Sequence, residues 1–173
     1  FRQKVLASFT GIPELRILGG YTGTGKTQLL HLLKERGEQM IDLEGLAKHK
    51  GSSYGGIGEA AQPSTEQFEN LLWDELRRTD PSRPIWVEDE SILIGKVQLP
   101  DPFFARMRAA PVQFIDMPAE WRTRRLVGAY GAYPKEELAA ATMRIERRLG
   151  PQHAKEALSA LEENDLHRVA SIV

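Results

Sequence analysis

Cysteine is absent from all 173 residues. The chain can therefore form no disulfide, no thiolate metal site and no cysteine nucleophile, which agrees with a reducing compartment. Long apolar runs are missing as well. No stretch approaches the roughly 18 residues that a membrane helix needs, and the opening Phe1-Arg2-Gln3-Lys4 lacks the apolar centre of a signal peptide. These absences predict a soluble, cytoplasmic protein with no membrane partner. The first residue is Phe rather than Met, as in a piece of a longer chain. An excess of one charge is lacking too, since 23 Lys and Arg stand against 24 Asp and Glu. The total therefore selects neither a polyanion binder nor an acid-rich protein, and local charge must decide. Residues 62–101 hold nine acidic and four basic side chains, whereas residues 102–150 hold nine basic and five acidic. A polyanion should favour the later segment.

What is present is enough apolar sequence, 41% of the residues, for one substantial core, and a length that fits one domain spanning 1–173. Leu15 to Leu18 reads as a buried strand that runs into glycine at Gly19. Lys26 to Arg36 reads as a helix with an apolar face of Leu29, Leu30, Leu32 and Leu33, closed by Gly37. Gln39 to Asp42 is a second short strand, and Leu43 to Lys50 a brief helix. Four glycines within residues 51–58 leave few apolar contacts, so this stretch reads as a functional loop or a disordered one. Ser64 followed by Gln67 forms a capping box for a helix reaching Arg78. Pro84 to Val87 is an apolar strand ending in Glu88-Asp89-Glu90, Pro102 to Ala109 a helix, and Val112 to Ile115 another buried strand. The remainder reads as helical, broken near Gly131 to Pro134 and at Gly150-Pro151. Strands separated by helices predict an α/β fold, a P-loop NTPase-like parallel sheet with helices on both faces and a helical C-terminal part. Residues 15–130 would form its core and residues 131–173 an extension.

The chemistry centres on Gly20-Tyr21-Thr22-Gly23-Thr24-Gly25-Lys26-Thr27, a full Walker A match between a strand and a helix. Glycines at these spacings let successive backbone N–H groups turn toward phosphate oxygens, and the following helix presents its positive end. Lys26 would reach the terminal phosphate. The Thr27 hydroxyl would hold Mg²⁺ if the ligand is a nucleotide such as ATP or GTP. Asp89, after an apolar strand, is the acid expected to orient metal-bound water, although acids at a strand end also simply solvate it. Asp42 is the rival, a contact for a phosphate acceptor or a helix cap. Arg122, Arg124 and Arg125 lie in one helical stretch, as a lid over phosphates, as contacts to a nucleic-acid backbone, or as a solvated face. Arg144, Arg147 and Arg148 repeat that pattern on what reads as one helix face. Trp86 is expected in the core, and Trp121 packs or stacks on a base.

Three further stretches are distinctive together: Ile41-Asp42-Leu43-Glu44-Gly45-Leu46-Ala47, His49-Lys50-Gly51-Ser52-Ser53-Tyr54-Gly55 and Ile85-Trp86-Val87-Glu88-Asp89-Glu90-Ser91. With Gln62 to Asn70 and Ile94-Gly95-Lys96-Val97, they make the chain resemble the C-terminal P-loop domain of bacterial tRNA 2-selenouridine synthase, from about Leu15 to about Tyr130. The resemblance implies replacement of sulfur by selenium in wobble 2-thiouridine of tRNA, with selenophosphate as donor and an S-geranylated intermediate made from geranyl diphosphate. It also implies an N-terminal rhodanese-like domain with an essential cysteine, which this cysteine-free chain does not contain. What remains for this chain is phosphate binding, by ATP, GTP, geranyl diphosphate or selenophosphate, and part of the tRNA surface. Two other readings stay open. A free-standing small-molecule kinase would use Asp42 or Asp89 as acceptor base and Arg122 to Arg125 as lid, and a nucleotide-sensing module would order a partner domain.

Overall fold

The computed structural model describes residues 2–173. The chain opens with helix α1 (Arg2–Ser8) and enters strand β1 (Leu15–Gly20), which delivers the glycine-rich loop to helix α2 (Lys26–Glu35). Strand β2 (Gln39–Met40) and helix α3 (Leu43–Ala47) follow, then the glycine-rich segment 51–58 and helix α4 (Thr65–Leu76). Strand β3 (Ile85–Glu88) leads to a small hairpin, β4 (Leu93–Ile94) and β5 (Val97–Gln98), and then to helix α5 (Asp101–Ala109) and strand β6 (Val112–Ile115). Helices α6 (Ala119–Tyr130), α7 (Lys135–Arg144), α8 (Glu146–Leu149), α9 (Pro151–Glu162) and α10 (Leu166–Ile172) complete it.

The four longer-range strands form one sheet in the order β2-β3-β1-β6, every pair parallel. β1 is central, with Leu15 to Leu18 beside Ile85 to Glu88 on one side and Ile17 to Gly20 beside Val112 to Ile115 on the other. Successive side chains on a strand point to opposite faces. Leu15, Ile17, Ile85 and Val87 thus join Phe9, Phe68, Leu72, Phe103 and Met107 in the main core under α1, α4 and α5. Leu18 and Trp86 face the other way, with Leu30 of α2, Met40 and Ile115. Helices cover both faces, as expected for this fold class. A third cluster unites Ile57 with Leu138, Ala141, Ala160, Leu161 and Val169.

The capping box forms as read: the Ser64 hydroxyl accepts from the Gln67 amide at 3.1 Å. Gln62 holds the chain just before it, donating to the carbonyls of Ala47 (3.0 Å) and Ile94 (2.9 Å) and accepting from Lys96 N at 2.8 Å. Three expectations change. Val112 to Ile115 is not a buried strand: β6 pairs only with β1 and lies at the sheet edge, leaving Val112 48% and Phe114 54% exposed. Segment 51–58 is neither disordered nor short of apolar contacts. Turn hydrogen bonds run from Lys50 N to Gly55 O (2.9 Å) and from Ile57 N to Tyr54 O (2.9 Å), and Ile57 is buried in the third cluster. The arginines at 144, 147 and 148 do not share one helix either, because Ile145 separates α7 from α8.

Among the described residues no helix is long and apolar enough to cross a membrane. Phe103 is fully buried against the sheet, so Phe103→Ala should cost about 3–5 kcal/mol in denaturant unfolding. Val112→Thr, at the exposed edge, should change stability by less than about 0.5 kcal/mol. Comparable losses at both sites would show β6 to be covered.

Candidate functional site

The glycine-rich loop turns where β1 ends. Thr24 closes the turn, its hydroxyl donating to the Tyr21 carbonyl at 2.8 Å and its amide reaching the same oxygen at 3.2 Å. Gly23 and Gly25 adopt φ of 86° and 82°, a region costly for any other residue. There is also no room for a side chain. A Cβ on Gly23 would lie 2.9 Å from the Arg122 carbonyl oxygen, and one on Gly25 2.5 Å from the Arg125 guanidinium. Gly25 caps α2 without any side-chain acceptor, which leaves the first amides of the helix directed at the loop's concavity. Lys26 folds back across it and donates to the Gly20 carbonyl at 2.9 Å.

Thr27, one residue into α2, donates to Glu44 of α3 at 3.1 Å. Glu44 in turn lies beside Glu90, both carboxyls facing Gly51, and the charge of Glu44 acts on Glu90. Lys26 acts electrostatically on both. Glu88, at the end of β3, is fully buried, and one of its oxygens accepts from the Leu43 amide at 3.1 Å while the other has no partner. The structure thus brings Thr27, Glu44, Glu88 and Glu90 together beside Lys26. The residues Glu44, Glu88 and Glu90 were not singled out from the sequence, although the alternation of β3 could have found Glu88. Trp86 and Glu88 share one side of the strand, that of α2, and the chain turns after Glu88, with Glu90 N donating to Glu88 O at 3.0 Å.

Asp89 lies on the opposite side. It is exposed and pairs with Arg108 of α5 at 2.9 Å. Asp42 caps α3, accepting from Gly45 N at 2.6 Å, and lies 3.3 Å from His31 Nε2. The three arginines of α6 divide. Arg122 donates to Met117 O at 3.3 Å and sits 5.0 Å over the ring of Tyr21, and Arg125 hydrogen-bonds Gln28 on α2. Both therefore lean on the phosphate loop. Arg124 turns away, pairing with Glu120 at 2.5 Å and lying 5.4 Å from the exposed Trp121 ring. Tyr21 is itself 58% exposed and meets Phe114 edge-on, with 5.3 Å between ring centres.

Beside the loop opens a cavity of about 820 Å³, between α6, α7, α10 and the 52–54 turn. Thr22 marks where it meets the phosphate loop, and Tyr54, Val127, Tyr130, Leu138 and Leu166 line it. This size falls within the range of small-molecule sites, and its walls are mostly carbon.

Burial governs the carboxyls. It pushes Glu88 up to about 9, helped by the charge of Asp42, and Glu90 up to about 8, helped by the charge of Glu44. Glu44 is also raised, again chiefly by burial. In the unfolded chain a glutamate titrates near 4.5, so between that value and about 9 the folded state holds extra protons. The corresponding stability is complete at the low end and is lost as pH rises through the window. In metal-free buffer, Glu88→Gln should therefore gain melting temperature relative to the wild type as pH rises from about 5 to about 9. Parallel profiles for the two proteins would contradict this.

The model of the tRNA 2-selenouridine synthase AAA domain matches residues 13–170, which carries the likeness beyond Tyr130 through the C-terminal helices. A tRNA 2-selenouridine synthase of Shewanella loihica is 42% identical over 134 residues, covering 75% of this chain and 35% of that protein. One from Aeromonas salmonicida is 38% identical over 159 residues, covering 81% and 42%, and one from Marinobacter nauticus is 35% identical over 175 residues, covering 88% and 46%. The chain thus spans less than half the length of these relatives. On the loop, the sheet order and this match along 13–170, the chain belongs to the tRNA 2-selenouridine synthase AAA domain family.

Proposed function

We propose that this chain is the phosphate-binding part of a tRNA 2-selenouridine synthase, and that its loop holds the diphosphate of an allylic ligand, geranyl diphosphate. The observation that carries this reading is the apolar cavity that opens from the loop at Thr22. Most of its exposed wall is carbon, and Val127, Leu138 and Leu166 offer that carbon to a hydrocarbon tail, with Arg122, Arg124 and Asp165 among its polar lining. The loop amides and Lys26 bind the diphosphate, and Arg122 and Arg125 close over it. In that pose they neutralise the charge that develops on the diphosphate as its bond to the allylic carbon breaks and the tRNA sulfur bonds to that carbon. Mg²⁺, where required, fits Thr27 and Glu44, whose oxygens lie 3.1 Å apart, and would share the diphosphate charge. Asp89 and Asp42 then serve as supports, one holding Arg108 and the other starting α3.

The second substrate in this reading is tRNA, and a cytoplasmic location fits it. The selenium step, with selenophosphate as donor, belongs to the remaining length of the full protein, for which a rhodanese-like domain with a cysteine is the partner we propose. Neither serine nor histidine supplies the soft, polarisable sulfur of a thiolate. Given 2-thiouridine tRNA, geranyl diphosphate and selenophosphate, this chain alone should form no 2-selenouridine by mass spectrometry of digested tRNA. Clear formation would remove the cysteine from the scheme.

Calorimetry tests the ligand. Each buried CH₂ contributes about 0.8 kcal/mol, so a tail of about ten carbons should make geranyl diphosphate bind at least about a hundredfold more tightly than inorganic diphosphate. Lys26→Ala should weaken both by about 2–3 kcal/mol, and Val127→Asp, at a partly buried wall position, should weaken only the geranyl ligand. Equal affinity for the two diphosphates, or tighter binding of ATP, would overturn the assignment.

A further inference from the structure

Away from the phosphate loop, three guanidiniums converge without a counter-charge. Arg144, at the end of α7, donates to the Ser53 carbonyl at 3.0 Å, and Arg148, on α8, reaches the Ser53 hydroxyl at 3.5 Å. Arg147 borders the same cleft, about 430 Å³ in volume, with Ser53 and Ile145. All three arginines are exposed, and among the described residues none has a carboxylate within 4.0 Å. Glu146, on the same segment, is half-buried and forms no ion pair with them. A solvated helix face would let such side chains spread apart. Here two of them cross to a turn some 90 residues earlier in the chain, where only the neutral oxygens of one serine meet them.

We propose that Arg144, Arg147 and Arg148 form a phosphodiester-binding site that anchors the backbone of an RNA at the mouth of the cavity. The guanidinium fork matches the paired non-bridging oxygens of a phosphodiester, and a phosphate here relieves the mutual repulsion of three cations. Position favours RNA over a lone anion. Ser53, Ile145 and Arg148 line both this cleft and the cavity, so a strand held here presents its neighbouring nucleotides to the opening. Arg124 and Arg168 also line the cavity, each paired with a carboxylate, Glu120 and Glu163. The site rests on the tRNA reading above for the identity of the RNA, but not for its location. It also moves the expected RNA contact away from Arg122 and Arg125, which the phosphate loop already engages.

The test is fluorescence anisotropy of a labelled tRNA anticodon stem-loop against this chain across a salt series. The variant R144Q/R147Q/R148Q should lose about 2–3 units from the slope of log affinity against log salt, with inorganic diphosphate binding unchanged in calorimetry. Arg147→Gln alone should lose about 0.7–0.9 units with no change in melting temperature, since Arg147 makes no contact the fold depends on. The triple Arg→Lys variant should keep most of the slope. An unchanged slope in the triple Gln variant, with wild-type RNA binding intact, overturns this site and leaves the tRNA reading standing. Loss of inorganic phosphate binding with an unchanged RNA slope makes it a small-anion site and overturns it equally. A wild-type chain that binds no RNA at low salt removes both.

Discussion

The convergence of backbone amides at the end of β1 is the interaction on which the rest of the site depends. Glycines at φ values other residues avoid hold the loop in its turn, with the first turn of α2 at its rim. The neighbouring elements respond to it. α6 packs so closely that Gly23 and Gly25 have no space for a Cβ, which places Arg122 and Arg125 on the loop. β3, beside β1 in the sheet, brings Glu88 and Glu90 to the same end, and α3 adds Glu44.

Three carboxyls beside a site for anions would be self-defeating if all were ionised. Burial resolves the conflict by raising all three, most clearly Glu88 and Glu90. Near neutral pH much of their negative charge is absent. Lys26 and the loop then keep a positive field in the pocket.

Much of this was legible in the sequence where the signal is local. The strand, loop and helix around Gly20 to Thr27, the Ser64 cap and the breaks at Gly131 to Pro134 and Gly150 depend on residues within a few positions of one another, and they form as read. The break at Ile145 between α7 and α8 is local and was missed, while the other differences are nonlocal. Val112 to Ile115 has the composition of a buried strand, but exposure depends on whether anything packs beyond it. Segment 51–58 has the glycines of a loose loop, yet Ile57 finds a core built by helices some 80 to 110 residues later. Among Glu88, Asp89 and Glu90 composition cannot choose. The choice is made by the side of the sheet each one faces, and that follows from Trp86 meeting α2 and Val87 meeting the main core.

The central claim is that the loop is an anion site whose lysine leaves its own backbone when ligand arrives. A crystal structure of the chain soaked with geranyl diphosphate tests it most directly. Lys26 Nζ, which lies 2.9 Å from the Gly20 carbonyl without ligand, should move onto a diphosphate oxygen, with the amides from Gly23 to Thr27 on the same group and the hydrocarbon against Val127 and Leu138. A diphosphate bound elsewhere, with Lys26 still on Gly20, would contradict it.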